Sequence, residues 1–240
     1  MIAILTDFGN SEYVGVMKGV IRRFNKKSEI VDLYHEVAPQ EILEGAWILL
    51  NSYSHFPKKT VFLCVVDPGV GSKRKCVAIR TRNYFFVGPD NGLMHPASSK
   101  DKVLETVELD SKGASRTFHG RDVFAKAAAL IEKKKSLKGL GEKTNLEAKL
   151  EFHSKKDEGQ IVRIDSFGNI ITNITSKKKS CNVSLGKTRR KMKYRNTYSE
   201  AAKDEIFLIK GSSNTLEISK KNSSAANELK PKLGQIIKLG

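Results

Sequence analysis

Three acidic residues stand directly after apolar runs, and each lies close to a glycine. Asp7 follows IAILT, Asp67 follows TVFLCVV, and Asp90 lies in PDNG after YFFVG. Carboxylates in such loops can ligate a hard metal ion or accept hydrogen bonds from the two hydroxyls of a ribose. Ligands of open α/β sheets bind beyond the carboxyl ends of the strands, so we expect two of these loops to share one edge of a sheet.

A second concentration of reactive groups is the segment RTFHGRDVF, residues 116–124, at a predicted helix start. It contains His119, whose ring titrates near neutral pH, beside Arg121 and Asp122. Charged side chains at a helix start commonly cap or brace the helix, so we interpret Arg121 and Asp122 as structural. Arg74, seven residues after Asp67, is placed to fold back over the Asp67 loop.

These residues fit three classes of site. A metallohydrolase would use four of them as metal ligands, namely Asp7, Asp67, Asp90 and His119. A kinase is suggested by DFG at Asp7 and by HGRD, but the order of the motifs is reversed and no glycine-rich loop or paired strand lysine accompanies them. A nucleoside site would bind both ribose hydroxyls through one carboxylate. Spacing alone does not separate the first class from the third.

The pattern around these residues predicts an α/β domain. Strand-like runs alternate with stretches whose apolar residues recur at helical spacing. The predicted strands are residues 2–6, 29–34 and 60–66, and the predicted helices are residues 13–25 and 41–53. This order is typical of a doubly wound, mainly parallel sheet. Three further strands are predicted at 76–81, 84–88 and 103–109. A helix is then predicted from Gly120 or Arg121 to about Lys135.

A change of pattern divides the chain. Residues 136–159 are rich in Lys, Glu and Gly and have no sustained period. We therefore predict an α/β domain over residues 1–150 and a second domain over residues 159–240. Short strand-like runs separated by turn residues predict a small antiparallel β-barrel in the second domain. The lysine-rich residues 176–204 fit no predicted element.

Composition restricts the class and location of the protein. Of 240 residues, 39% are hydrophobic and 29% charged, as in globular proteins, and no apolar run reaches the roughly 20 residues of a membrane span. The segment MIAILTDFG predicts a first strand instead of a secretory leader. Three cysteines at unrelated spacings suggest neither a disulfide framework nor a zinc site, and they favour the cytoplasm.

The formal net charge of +17 raises the question of nucleic-acid binding. Clustered Lys and Arg side chains release counterions from phosphates, and such clusters are often interleaved with aromatic residues. Here the excess lysine is spread over turns without interleaved aromatics. We therefore expect a solvated, lysine-rich surface, and we do not expect nucleic acid as a partner. The non-catalytic alternative is an adenosine-binding or RNA-binding module that uses the basic surface, which would bind RNA with a steep salt dependence and form no product.

Seven segments, in order along the chain, resemble the S-adenosyl-L-methionine hydroxide adenosyltransferases, the water-using relatives of the fluorinase and chlorinase enzymes. They are LTDFG at 5–9, YVGVMKGVI at 13–21, IVDLYHE at 30–36, VVDPGVGSKRK at 65–75, FVGPDNGL at 86–93, TFHGRDVFA at 117–125 and IDSFGNIITNI at 164–174. GSSNTLEI at 211–218 extends the match towards the end of the chain. The resemblance implies an α/β amino-terminal domain and a small β-barrel carboxy-terminal domain.

The resemblance also implies an activity and an assembly. The activity is hydrolysis of S-adenosyl-L-methionine to adenosine and L-methionine. The assembly is a homotrimer whose active sites lie between the amino-terminal domain of one subunit and the carboxy-terminal domain of the next. The family's water-handling residues correspond to Asp67, Arg74 and His119, and its ribose-binding residue to Asp7. Its base-binding residues correspond to Phe167 and Asn169, and further ligand contacts correspond less closely to Asp165, Ser212 and Glu217.

Two residues bear on the nucleophile. The halogenating relatives have Tyr at the position of His119 and lack the arginine at Arg74, so the resemblance implies attack by water instead of halide. Attack at the ribose C5′ would release methionine as a neutral thioether, so the enzyme's task is to hold water in line with the breaking C–S bond. We expect Asp67 to accept a water hydrogen, with no metal or cofactor. The alternatives are that Asp67 only forms a turn and Phe167 only fills the barrel core.

Overall fold

The computed structural model describes residues 1–176, 180–186 and 188–240. The chain divides into two compact units, Met1–Leu150 and Glu151–Gly240. Each unit is built around hydrophobic cores of its own. In the ranges described, no helix has the length and apolar character needed to cross a membrane.

The first unit is a seven-stranded sheet with helices on both faces. Its strands are β1 Ile2–Thr6, β2 Ile30–Tyr34, β3 Val61–Val65, β4 Cys76–Thr81, β5 Phe85–Pro89, β6 Val103–Leu109 and β7 Gly141–Lys143. Its helices are α1 Glu12–Phe24, α2 Ile42–Ser52, α3 His95–Lys100 and α4 Ala125–Lys134. The spatial order is β2-β1-β3-β5-β4-β6-β7. The first four strands in this order are parallel, and β4, β6 and β7 run antiparallel to their neighbours.

The central strands are buried on both faces, which explains their continuous apolar sequences. Successive side chains of a strand point to opposite faces, and β1 shows this directly. Ile4 packs with Met17 of α1 in the core on one face, whereas Leu5 packs with Leu49 of α2 in the core on the other. The predicted α/β fold class of this domain is confirmed.

The segment before α4 differs from a simple helix start. Gly120–Phe124 forms one turn of π-helix, in which the Ala125 N–H donates to the Gly120 carbonyl, and the α-helix begins only at Ala125. Single π-turns of this kind widen a helix locally and are frequent at functional sites. The turn follows directly on His119, so it fixes where that ring stands.

The second unit is a closed β-barrel over the residues described. Its strands are β8 Glu158–Ile164, β9 Ile170–Thr172, β10 Ser180–Leu185, β11 Thr188–Arg195, β12 Ile206–Lys210, β13 Leu216–Lys220 and β14 Ile236–Leu239, and its helix is α5 Ala225–Leu229. They close in the order β10-β11-β12-β13-β9-β8-β14. All pairs are antiparallel except β11 with β12, so the predicted barrel is confirmed with one parallel pair.

Two strands of the barrel lie where no element was predicted. β10 and β11 fall within residues 176–204, of which 177–179 and 187 lie outside the described residues. Along β10, Cys181, Val183 and Leu185 are buried in alternation, and Met192 is the buried residue of β11. The many lysine and arginine side chains around them conceal this period of two, which is the signal that predicts a half-buried strand.

Candidate active site

A cleft of about 330 Å³ opens in the first unit at the carboxyl ends of β1 and β3. Because these two strands are parallel neighbours, the loops that follow them meet at one edge of the sheet, as expected. Asp7, Asp67 and His119 line the cleft, together with the aromatic residues Phe8 and Phe118. Three of the predicted site residues are thus brought together although they are far apart in sequence.

Arg74 holds both oxygens of the Asp67 carboxylate. Its Nε donates to Oδ1 at 2.9 Å and its Nη2 donates to Oδ2. Both side chains are almost fully buried, with 9% and 6% of their surfaces exposed. Side-on pairs of this kind match the fork of the guanidinium to the plane of the carboxylate, so the orientation of Asp67 is fixed.

The same guanidinium binds His119. Arg74 Nη2 lies 2.8 Å from His119 Nδ1, and because an arginine N–H can only donate, Nδ1 must accept and the ring must be neutral with its proton on Nε2. Burial, followed by the nearby charge of Arg74, holds the pKa of His119 below its ordinary value. The hydrogen-bond geometry and the pKa therefore agree on a neutral imidazole.

Cys76 completes this cluster and was not predicted. Arg74 Nη1 donates to its sulfur at 2.9 Å, and the same sulfur lies 3.5 Å from His119 Nδ1. Burial raises the pKa of the Cys76 thiol, so it remains protonated. The Arg74 guanidinium thus donates hydrogen bonds to three side chains, those of Asp67, Cys76 and His119. Cys76 opens β4 two residues after Arg74, which places it beside the cluster, but an isolated cysteine in a strand carries no signal for this role.

The loop that carries Asp67 needs a glycine at Gly71. This residue has a φ of +77°, and a Cβ atom there would lie 2.3 Å from the carbonyl oxygen of Arg116. The loop can therefore close against the segment before His119 only because position 71 has no side chain. Asp67 follows β3, and its carbonyl accepts the Val70 N–H in a turn, but its carboxylate faces the cleft and Arg74, so turn formation alone does not account for it.

Asp7 and Asp90 have different surroundings. Asp7 lies in the cleft, where its Oδ2 accepts the Gln40 N–H at 2.9 Å. Asp90 instead accepts the N–H groups of Glu147 and Ala148, at 2.8 and 3.3 Å, and braces that segment. Among the residues described, no three His, Cys, Asp or Glu side chains are arranged to hold a metal ion. The geometry does not favour the four-ligand metal site.

The pair Arg121 and Asp122 has the bracing role assigned to it. Arg121 Nε donates to Asp122 at 2.6 Å, and Asp122 also accepts the Ser115 N–H at 2.9 Å. Neither side chain lines the cleft. The two charged residues next to His119 therefore hold the entry to the π-turn, and His119 is the titratable residue of this segment that lines the cleft.

The second unit contains a larger pocket, of about 890 Å³. All five site residues predicted in this domain line it, namely Asp165, Phe167, Asn169, Ser212 and Glu217. Phe167 is 78% exposed, so the alternative that it fills the barrel core is wrong. A phenyl ring held out in solvent beside polar groups is suited to stacking against a planar ligand.

Asp165 organises the turn that presents Phe167 and Asn169. Its Oδ1 accepts the N–H groups of both residues, at 3.0 and 2.8 Å, and its Oδ2 accepts the Asn169 side-chain amide at 2.8 Å. Gly168 between them has a φ of +79°, and a Cβ there would meet Ser224 at 2.0 Å. Because Asn169 Nδ2 is fixed by Asp165, the amide keeps its carbonyl oxygen and one N–H for a ligand.

Tyr198 is a second aromatic residue of this pocket that the sequence did not reveal. Its side chain is 46% exposed and its hydroxyl lies 3.5 Å from Glu217 Oε2. Burial, and then the charge of Asp165, raises the pKa of Glu217 above its ordinary value. Tyr198 lies in the lysine-rich range that fitted no element, and a single Tyr there carries no motif.

An Asp–Arg–His cluster in an α/β unit and an open aromatic pocket in a β-barrel define a two-domain enzyme that handles a small ligand with an aromatic ring. Comparisons with known proteins narrow the class. Residues 2–141 match the model of the SAM hydroxide adenosyltransferase N-terminal domain, and residues 159–238 match that of the C-terminal domain. The chain belongs to the SAM hydroxide adenosyltransferase family.

Curated relatives and solved structures agree with this assignment. The chain is 34% identical to the (R)-S-adenosyl-L-methionine hydrolase of Thermus thermophilus, over 99% of its own length and 98% of the relative's. It is 40% identical to the enzyme of the same name from Methanocaldococcus jannaschii, over 72% of its own length and 66% of the relative's. A crystal structure of a conserved protein from Thermotoga maritima superposes over the full length of both chains, with a TM-score of 0.92 at 32% identity.

Proposed function

We propose that this protein hydrolyses S-adenosyl-L-methionine to adenosine and L-methionine by in-line attack of water on the ribose C5′. The observation that carries the proposal is the buried cluster of Asp67, Arg74 and His119, which opens into a cleft that also contains Asp7. The relatives named (R)-S-adenosyl-L-methionine hydrolase, at 34 to 40% identity, support the same reaction.

The difficult part of this reaction is the activation of water as the nucleophile. As the water oxygen bonds to C5′, the C–S bond breaks and its electron pair returns to sulfur, so methionine leaves neutral without a proton. A proton must be removed from the water, and Asp67, the cleft carboxylate that shares Arg74 with His119, would accept it. Arg74 occupies one lone pair on each Asp67 oxygen, which leaves the others for water.

His119 supplies the second contact to the water. Since Nδ1 accepts from Arg74, Nε2–H is the ring's donor and can hold one lone pair of the water oxygen. The water would then donate to Asp67, accept from His119 and keep its other lone pair for C5′. Such fixed orientation contributes several kcal/mol to reactions of poor nucleophiles.

The remaining residues suit the substrate. Asp7 keeps Oδ1 and part of Oδ2 available for the two ribose hydroxyls. Phe167 and Tyr198 offer two aromatic surfaces for adenine, and the Asn169 amide matches the paired donor and acceptor on its edge. Ser212 and Glu217 supply polar contacts in the same pocket. None of these tasks calls for a metal or cofactor, so we propose that the reaction proceeds without either.

We further propose that the protein is a homotrimer with each active site formed at a subunit interface. Exposed apolar side chains support this assembly, since Tyr13 and Val16 project from α1 and Phe167 projects from the barrel. Tyr13 packs edge-on against Phe118, which lines the cleft, at 5.1 Å between ring centres. The buried thiols of Cys64 and Cys76, neither of which forms a disulfide, are consistent with a proposed cytoplasmic location.

A product chromatogram tests the reaction. We expect adenosine and L-methionine to form in equal amounts from S-adenosyl-L-methionine with EDTA present throughout. The rival metal-dependent phosphatase or nucleotidase would instead release phosphate from nucleotides and stop when EDTA is added. Absence of turnover with intact, folded protein would refute the hydrolase.

The pH dependence tests the neutral state of His119. Burial and the Arg74 charge lower the pKa of His119 from its ordinary value of 6.5, so we expect kcat to stay level as the pH falls to 6.5 and to decline only at lower pH. Because the unfolded chain binds this proton more readily, the free energy of unfolding should also decrease as the pH falls below 6.5.

Measurements of kcat and of the thermal midpoint across this range, on the wild type and on His119→Asn, check both effects. His95, which makes one ring contact of 2.9 Å to the Leu150 carbonyl and does not line the cleft, gives the control variant His95→Asn. A midpoint of the kcat profile above 6.5 would contradict a neutral His119 whose pKa is lowered.

A further inference from the structure

The loop that carries Asp7 is held by the segment that follows β2. The Gly9 N–H donates to the His35 carbonyl at 2.7 Å, and the Gln40 N–H donates to Asp7 Oδ2 at 2.9 Å. A third contact joins the His35 ring to the hydroxyl of Thr6, with 2.9 Å between Nδ1 and Oγ1. The two ends of residues 35–40 therefore hold the Asp7 loop on either side of its carboxylate.

The contacts of the neutral His35 ring form a chain of hydrogen bonds that runs from Asp32 to the Asp7 loop. Asp32 can only accept, so the 3.0 Å contact between its Oδ1 and His35 Nε2 places a proton on Nε2. In the neutral ring Nδ1 then accepts from the Thr6 hydroxyl, and the Thr6 oxygen accepts the Phe8 N–H at 3.3 Å. Lys18 completes the chain by donating to Asp32 at 2.6 Å. The chain ends on the backbone beside Asp7.

We propose that His35 is a positioning residue that sets the Asp7 loop through the buried hydroxyl of Thr6. The inference rests on the proposed function, because it assumes that Asp7 binds the substrate. Gly9 has a φ of +59°, so the loop leaves β1 through a conformation that local sequence does not enforce. With the Thr6 and His35 contacts in place, the Asp7 carboxylate meets the ligand already ordered, and the entropy of ordering it is not lost on binding.

A pair of valine variants tests the hydroxyl. Thr6→Val removes the Thr6 contact while keeping shape and apolar burial, and we expect KM and the adenosine Kd to rise about tenfold with kcat within about twofold. Thr60→Val is the matched control. Thr60 is equally buried and donates its hydroxyl to the Pro57 carbonyl at 2.7 Å, but it stands at the opposite end of the sheet, just before β3. Its KM should not change, although both variants should lose thermal stability.

Two amide variants separate the two ring nitrogens of His35. An asparagine amide reaches only as far as Nδ1, so His35→Asn can still accept from Thr6 and should keep KM within about threefold of the wild type. A glutamine amide reaches towards Nε2 and loses the Thr6 contact, so His35→Gln should reproduce the KM of Thr6→Val. Combining His35→Gln with Thr6→Val should add little, because both break one chain of contacts.

The outcomes separate this inference from the function on which it rests. If the wild type does not hydrolyse S-adenosyl-L-methionine, the proposed function fails, and the inference fails with it. If the wild type is active and Asp7→Asn raises KM but Thr6→Val does not, the positioning role alone is refuted. Equal losses in Thr6→Val and Thr60→Val, or a fall of kcat with unchanged KM, would also refute it.

Discussion

Replacing Asp67 with asparagine is expected to lower kcat for S-adenosyl-L-methionine hydrolysis by about 10³-fold and to leave KM within about tenfold. The asparagine amide has nearly the shape of the carboxylate but cannot take a proton from water at neutral pH. Its NH₂ group would also face an Arg74 N–H, where two donors meet without an acceptor. Both effects act on the step in which water attacks, so they should appear in kcat.

Asp122→Asn provides the matched control for this change. Asp122 is also a carboxylate paired with a neighbouring arginine in the first unit, but it does not line the cleft. Because the asparagine oxygen can still accept the Ser115 N–H, the brace persists, and we expect kcat to remain within about twofold of the wild type with some loss of stability from the lost ion pair. Steady-state kinetics of the two variants would contradict the role of Asp67 if Asp67→Asn kept more than about a tenth of the activity, or if Asp122→Asn lost as much.

The strand ends were predictable because they depend on local pattern. Apolar runs with turn residues behind them locate β1 and β3, and the parallel arrangement then places Asp7 and Asp67 at one edge. The π-turn was not predictable. The turn lies where Gly120 is tightly packed by residues distant along the chain or outside the helix, since a Cβ there would meet Phe118 at 3.1 Å and Met17 at 3.2 Å.

The hydrogen bonds within the site could not be predicted from the sequence either, because they depend on tertiary packing. The resemblance gave the residue types of the Asp67, Arg74 and His119 set, but the sequence does not show that one guanidinium bonds to all three of Asp67, His119 and Cys76. Because the Arg74 N–H donates to His119 Nδ1, the His119 ring must be neutral. Cys76 and Tyr198 were missed because their roles come from tertiary neighbours, which no local spacing records.

The two groups of functional side chains lie in separate units of the chain, and this division makes the interface proposal testable. The groups proposed to handle water belong to Met1–Leu150, and those proposed to bind adenine belong to Glu151–Gly240. A variant can therefore be inactivated in one unit with the other left intact. If each active site combines units from two subunits, inactive variants can restore one another.

Co-expression of Asp67→Asn with the double variant Phe167→Ala/Asn169→Ala is expected to recover about one quarter of the wild-type activity per site, although each variant alone is nearly inactive. In randomly mixed assemblies, about one interface in four joins an intact first unit to an intact second unit from a neighbouring subunit. A site built within one chain would always contain a damaged half, so no recovery would follow.

Co-expression of Asp67→Asn with His119→Asn, both in the first unit, should recover nothing and controls for expression. Tagging the two variants differently and purifying through both tags isolates the mixed trimers, in which one interface in three is intact, so their expected activity is about one third of the wild type. Inactivity of these confirmed mixed assemblies would overturn the shared site.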